Sequence, residues 1–257
     1  MSAHTVLNHI IILKKIIRRS INQGTLKRNP FINFIAETPQ RLHRHLTEEE
    51  FQKILTTPIA SYRYSRTRDW FVFSVFTGVS YADMCALSIN NLIEEQDGST
   101  WIKISRQKTG TVCSIKLLSI PLQIIKKYEK ERKSDKVFNM INRPSLAVNM
   151  KGLAKICGIE RDLTYHMSRH TYGTLIGVSQ GVPIETVCKL MGHKSIQTTQ
   201  IYAKITNQKV NEDMKQLFTK VSGKYQVAES DITSEVAHKK FPHWKKINEI
   251  FPENKEE

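Results

Sequence analysis

One short stretch limits what this chain can become. Between residues 90 and 118 two turn signals, Asp97-Gly98 and Thr109-Gly110, stand beside "TWIKIS" and "TVCSIKL", runs with the composition of strands. They predict an antiparallel sheet of two or three strands, with Lys108 at the second turn. Outside this stretch the apolar residues recur at helical spacing. The fold class expected is therefore mainly α with a small antiparallel β-sheet (α+β).

The helical segments carry their own start and stop signals. Over residues 5–22, Val6, Ile10, Leu13 and Ile17 share one helix face while Lys14, Lys15, Arg18 and Arg19 lie elsewhere, and Gly24 and Pro30 end the run. Residues 36–46 read as an exposed linker. In "LTEEEF", Thr47 is an N-cap with Glu50 as its capping-box partner, and Leu46 and Phe51 occupy the two positions of a hydrophobic staple. Residues 68–76 are apolar almost all round, which predicts a buried helix. Gly78 breaks it, and Ser80 and Asp83 have the spacing of a new capping box. Further helices are expected over 121–133, 143–157, 168–180, 183–191 and 195–202. The tail is polar from Val221 until "FPHWKKINEIF", where Pro242 could open a short helix with Trp244, Ile247 and Phe251 on one face.

Charge gives the first functional clue. The chain holds 39 Lys and Arg against 24 Asp and Glu, a net +15. The segment 221–257 has six Lys against seven acids, so the whole excess lies before it. Such an imbalance on a folded chain points to a polyanion, most often a phosphate backbone, although a solvated basic face produces the same count. No run of 18 apolar residues exists, which argues against a membrane span, and no secretory signal is visible. Cys85, Cys113, Cys157 and Cys188 are scattered without a C-x-x-C pair, as expected of reduced thiols in a cytoplasmic protein.

Two segments hold most of the chemistry. In "LTYHMSRHTYGT", His166, Arg169 and His170 share a helix face by their spacings of three and four. The candidate readings are a metal site, a pair of structural histidines, and a site that handles an anion. A metal site lacks the Glu of H-E-x-x-H and would have Arg169 beside the ion, so the anion site is favoured. In "KLMGHKSIQTTQIYAKI", His193 follows a glycine after one helix, and Tyr202 lies nine residues further on.

These segments resemble boxes of the tyrosine recombinase (phage integrase) family. "HMSRHTYGT" is similar to H-x-L-R-H-T-F-A-T, and "LMGHKSIQTTQIYAKI" to L-G-H-x-S-x-x-T-T-x-x-Y. "FTGVSYADMCAL" resembles T-G-x-R-x-x-E-L-x-x-L, and "RQKTG" the sheet turn bearing the family's lysine. The boxes follow in family order from residue 77 to 202, in wording nearest to integrases of conjugative transposons and related mobile elements. The resemblance implies a tyrosine recombinase catalytic-domain fold and a site-specific recombinase that exchanges DNA strands. Tyr202 would attack the scissile phosphate, giving a 3′-phosphotyrosine and a free 5′-hydroxyl. Arg169 and His193 would bind non-bridging oxygens, His166 would help move the tyrosine proton, and Lys108 would protonate the leaving oxygen. No metal or cofactor is implied. Lys14, Lys15, Arg18, Arg19 and His170 are the expected DNA contacts. The implied partners are double-stranded DNA, three further copies in a homotetramer, and accessory DNA-bending proteins.

The sequence departs from the family in two places. Ser80 stands where the first box has an arginine. A serine offers no bidentate cation, and its expected task is to cap the next helix. Arg106, two residues before Lys108 and expected on the same strand face, is the candidate substitute, with a surface DNA contact as its alternative. Asp83 replaces the usual Glu, with a supporting role expected. At the N-terminus, residues 1–35 resemble only the last helices of the family's core-binding domain. The expected organisation is that remnant, whether from loss, truncation or natural reduction, then a linker at 36–46, a catalytic domain at 47–220, and a tail at 221–257 that docks on a neighbouring protomer or on its own domain. Two competing functions remain: a non-catalytic protein that occupies recombination sites, and a nicking-closing enzyme akin to a type IB topoisomerase.

Overall fold

The computed structural model describes residues 3–34, 45–132, 134–202, 207–222 and 224. Most of the expected linker, and the tail with Trp244, Ile247 and Phe251, lie outside these residues. The chain falls into two compact units that divide after Lys204. Among the described residues no helix is long and apolar enough to cross a membrane.

The first unit opens with α1 (Ala3–Asn22). Its expected apolar face is only partly covered: Ile17 is buried, but Val6 and Leu13 are each 42% exposed. The Thr47 capping box then starts α2 (Glu48–Thr56) as the sequence dictates: Glu50 N–H donates to Thr47 Oγ1, and Glu50 Oε2 accepts from Thr47 N–H at 2.8 Å. Arg161 clamps the same carboxylate from far along the chain, with Nε 2.8 Å from Oε1. Leu46, expected at the end of an exposed linker, is fully buried, and its N–H donates to Thr171 Oγ1 at 3.0 Å. Its role in the staple overrides its place in the linker.

The core forms around α3 (Tyr62–Thr77), which packs against α5 (Ser119–Lys127), α6 (Arg143–Ile156) and α7 (His166–Thr171). Trp70, Phe71, Phe73 and Val75 are almost wholly buried, as an all-round apolar helix requires. α3 begins six residues before the expected Arg68, because its first turn is half-exposed and lacks apolar periodicity. α4 (Tyr81–Ala86) starts at the Ser80 cap. α5 stops short of the expected 133 because Tyr128 turns inward, donating its hydroxyl to Asp69 Oδ2 at 2.8 Å.

The sheet is three-stranded and antiparallel in the order β1 (Leu92–Glu94), β2 (Thr100–Ser105), β3 (Val112–Lys116). Ile102 faces Ile115 and Ile104 faces Cys113 in the register, and these four side chains form its buried face. α7 continues as a wider π-helical turn (Tyr172–Gly177) and a 3₁₀ turn to Gln180, then α8 (Ile184–Met191), whose capping residue Gly192 is left-handed. Two 3₁₀ turns (Ile196–Thr198, Gln200–Tyr202) replace the expected short helix. The second unit contributes α9 (Asn207–Val221), with Met214, Leu217 and Phe218 exposed.

The capping box is local enough to test alone. Thr47→Ala should lower unfolding free energy by about 1 kcal/mol, the usual cost of losing an N-cap. Urea denaturation should show a lower midpoint with an unchanged slope.

Candidate active site

Arg169 sits where three chain segments meet. It is carried by α7, which is fastened to α3 by Ser168 Oγ at 2.7 Å from Ser74 Oγ and by Tyr165 Oη donating to the Trp70 carbonyl at 3.0 Å. The guanidinium is buried and donates from Nη1 to the Gly78 carbonyl and from Nη2 to the Met191 carbonyl, each at 2.5 Å. Both acceptors lie at helix C-termini, at the cap of α3 and the last residue of α8. Carbonyls there lack intrahelical partners and carry partial negative charge, so they suit a buried cation. The adjoining glycines are required sterically. A Cβ on Gly78 would stand 2.6 Å from the Tyr172 ring, and one on Gly192 2.3 Å from Cys113 Sγ; both residues have φ above +60°. Burial, then the neighbouring Arg106, lowers the Arg169 pKa to about 10, which leaves it charged at neutral pH.

Asp83 organises a second buried cluster. Its carboxylate accepts from Ser80 Oγ and from Gln107 N–H at 2.9 Å, and lies 2.9 Å from Arg106 Nη1 in an ion pair without hydrogen-bond geometry. Ser80 also caps α4 as expected. Arg106 and Lys108 do not share a strand face: β2 ends at Ser105, and the turn that follows buries Arg106 and exposes Lys108. Arg106 is nevertheless close enough for its charge to act on Arg169 and His193. It reaches the neighbourhood of Ser80 through the shared carboxylate.

His193 and Tyr202 come from the segment after α8. His193 Nδ1 is 2.8 Å from Thr199 Oγ1, and the Thr199 carbonyl accepts from Tyr202 N–H at 3.0 Å, so one threonine links both. Thr199 has no burial and periodicity signal of its own and was not singled out from the sequence; its place in the "TT" pair was the available hint. Tyr202 is 8% exposed, and its Oη lies 3.1 Å from His170 Nδ1. His170, expected among the DNA contacts, is thus buried against the tyrosine. The His166 ring stands edge-to-face with it at 4.7 Å. Among the described residues no group of three or more His, Cys, Asp or Glu could hold a metal ion.

A cavity of about 800 Å³ has Ser80, Lys108, His166 and Arg169 in its wall. Arg143 and Lys151 of α6 add two cations that the sequence reading did not single out. They stand eight residues apart on one helix, and that spacing was their signal. Arg143 lies 5.0 Å over the Tyr81 ring. On α1, Lys14 is engaged with the Phe34 carbonyl at 2.8 Å, whereas Lys15, Arg18 and Arg19 are exposed.

The sequence model of the phage integrase family matches residues 44–209. The tyrosine recombinase XerD of Listeria monocytogenes serotype 4b (strain F2365) is 26% identical over 234 residues, spanning 84% of this chain and 76% of that protein. The tyrosine recombinase XerA of Saccharolobus solfataricus is 30% identical over 160 residues, spanning 61% of this chain and 50% of its own length. Among solved structures, the Tn1549 transposon integrase in complex with a circular intermediate DNA superposes with a TM-score of 0.69 at 20% identity, covering 84% of this chain and 80% of that one. The XerH site-specific recombinase bound to palindromic difH substrate gives 0.57 at 23%, covering 68% of this chain and just over half, 53%, of that one. The fold is therefore that of tyrosine recombinase catalytic domains.

The electrostatics of His193 yield a pH test. Burial first, then Arg169 and Arg106, lower its pKa from 6.5 to about 4, so folding favours the neutral ring. Its contribution to stability is full above pH 6.5 and is lost as the pH falls towards 4, because the unfolded chain then binds the extra proton. Thermal melting between pH 7 and 4.5 should show a falling midpoint, and His193→Gln should flatten that slope. Glu50 is also expected to lose stabilisation on acidification. Its burial raises the pKa, but the bonds from Arg161 and Thr47 outweigh it, which places its window below 4.5.

Proposed function

This chain belongs to the phage integrase family of tyrosine recombinases, and from that premise we propose that it is a site-specific DNA recombinase that cleaves and rejoins strands through a 3′-phosphotyrosine on Tyr202, for integration or excision of a mobile element. The observation that carries the reading is the buried cation Arg169, which lines the cavity with Lys108 and His166 and whose charge acts on both His193 and Tyr202. Phosphoryl transfer spreads negative charge over the phosphate oxygens, and a fixed donor aimed there is worth about 3 kcal/mol. Arg169 and His193 would supply such donors, and Arg106 would substitute for the arginine absent at Ser80. Lys108, exposed in the cavity wall, is the acid for the departing 5′-oxygen. His166 helps move the tyrosine proton. Since the phosphotyrosine retains the energy of the broken diester, resealing needs no ATP.

The partner is double-stranded DNA in the cytoplasm. The +15 charge supports this, as do the family relatives solved with DNA. Four protomers on two sites would complete exchange, with accessory proteins bending the DNA. One observation favours a second reading, in which the protein occupies recombination sites without cutting: Ser80 leaves the first box one cation short.

The two readings separate on a nicked suicide duplex. Wild type should form a denaturant-resistant covalent band, and Tyr202→Phe should bind the duplex normally and form none. Binding with no band from wild type would favour site occupancy.

Arg106 is tested on the same substrate with protein shown to be folded. Arg106→Ala should slow band formation about 10²-fold, the scale of one preorganised donor. Arg106→Lys should restore little, because a point charge lacks the guanidinium fork, whereas adding Ser80→Arg to Arg106→Ala should restore more. An unchanged rate in Arg106→Ala would leave Arg106 a structural partner of Asp83.

A further inference from the structure

Thr199 is fully buried, and its side chain is turned onto the ring of His193. The tight 3₁₀ turn over Ile196–Thr198 brings it there. Thr198 N–H donates to the Ser195 carbonyl at 3.1 Å, and Thr199 N–H to the Ile196 carbonyl at 2.8 Å. With about three residues per turn, Thr199 Oγ1 comes to 2.8 Å from Nδ1 of His193, and its carbonyl meets the Tyr202 N–H at 3.0 Å. The main chain of His193 is held separately, its N–H donating to the Cys188 carbonyl at 3.1 Å.

Burial and the cations Arg169 and Arg106 keep the His193 ring neutral. A neutral imidazole has a single proton, on one nitrogen or the other. On Nε2 it gives the ring a donor on the side away from Thr199. On Nδ1 it leaves a lone pair at Nε2, which repels an anionic oxygen. The hydroxyl decides between them. Among the described residues, Nδ1 is the one hydrogen-bond partner of Thr199 Oγ1. Were the imidazole proton on Nδ1, the buried hydroxyl hydrogen would be left without an acceptor, which is costly. With the proton on Nε2, the hydroxyl donates to the Nδ1 lone pair. A carboxylate in place of the hydroxyl could only accept, and would draw the proton to Nδ1.

We propose that Thr199 is a positioning residue: its hydroxyl donates to His193 Nδ1 and so keeps the imidazole proton on Nε2, where it bonds a non-bridging phosphate oxygen. Through its carbonyl the same residue holds the Tyr202 backbone, so that donor and nucleophile are set from one point. The assignment rests on the recombinase reading and adds a residue to it.

Thr199→Val keeps the branched shape and the carbonyl but removes the hydroxyl. On the suicide duplex it should slow covalent-band formation about 10-fold or more, the scale on which a lost partner of a functional imidazole is felt, with DNA affinity unchanged. Thr199→Ser should restore most of the rate. The ¹⁵N spectrum of the imidazole at neutral pH reads the tautomer directly, without DNA. Wild type should carry the His193 proton on Nε2, and Thr199→Val should lose that preference. A proton on Nδ1 in wild type overturns the proposal, and that measurement stands even where the valine protein does not fold. A Thr199→Val rate near wild type, an unchanged His193 spectrum in that variant, or a Thr199→Ser protein as slow as Thr199→Val also overturns it. Each of these leaves the recombinase reading standing. No band from wild type overturns that reading, and the proposed role with it, whichever tautomer the spectra show.

Discussion

The site is built on a buried guanidinium between two helix ends. Arg169 joins the Gly78 carbonyl at the end of α3 to the Met191 carbonyl at the end of α8, across separations of 91 and 22 residues. Removing a cation from water is costly unless every donor is met, and helix C-terminal carbonyls meet it without bringing a competing full negative charge. An anion entering the cavity would therefore meet a cation that no carboxylate bonds directly. The two glycines, the serine pair between α3 and α7, and the packing of the His193 loop on Cys113 and Arg106 all maintain this junction.

Ser80 belongs to a buried cluster centred on Asp83. A first-box arginine would have placed a second guanidinium just before α4; here the serine hydroxyl bonds Asp83, and Asp83 pairs with Arg106 from the sheet turn. The same carboxylate fixes the Gln107 amide. One acidic residue thus sets the conformation of the turn that carries both Arg106 and Lys108. The supporting role expected of Asp83 extends well beyond its own helix.

What could be read from the sequence was what is local. The Thr47 box, the Ser80 cap and the sheet turns at Gly98 and Gly110 each depend on residues a few positions apart, and each formed where its signals lay. The helical face joining His166, Arg169 and His170 was equally legible. Features set by distant partners were not. The break at Tyr128 depends on Asp69, 59 residues away, and the burial of Leu46 on Thr171. Strand periodicity placed Arg106 beside Lys108 because the pattern does not show that the strand ends at Ser105. Nor could spacing show which histidine meets Tyr202, since both share a face and the tyrosine arrives from 32 residues further along.

The most direct test of the account is chemical identification of the residue joined to DNA. The covalent complex would be trimmed with nuclease, digested with trypsin and sequenced by tandem mass spectrometry. The account requires a 3′-linked nucleotide on the phenolic oxygen of Tyr202. A nucleotide on Tyr165, on Tyr172 or on any serine would contradict it.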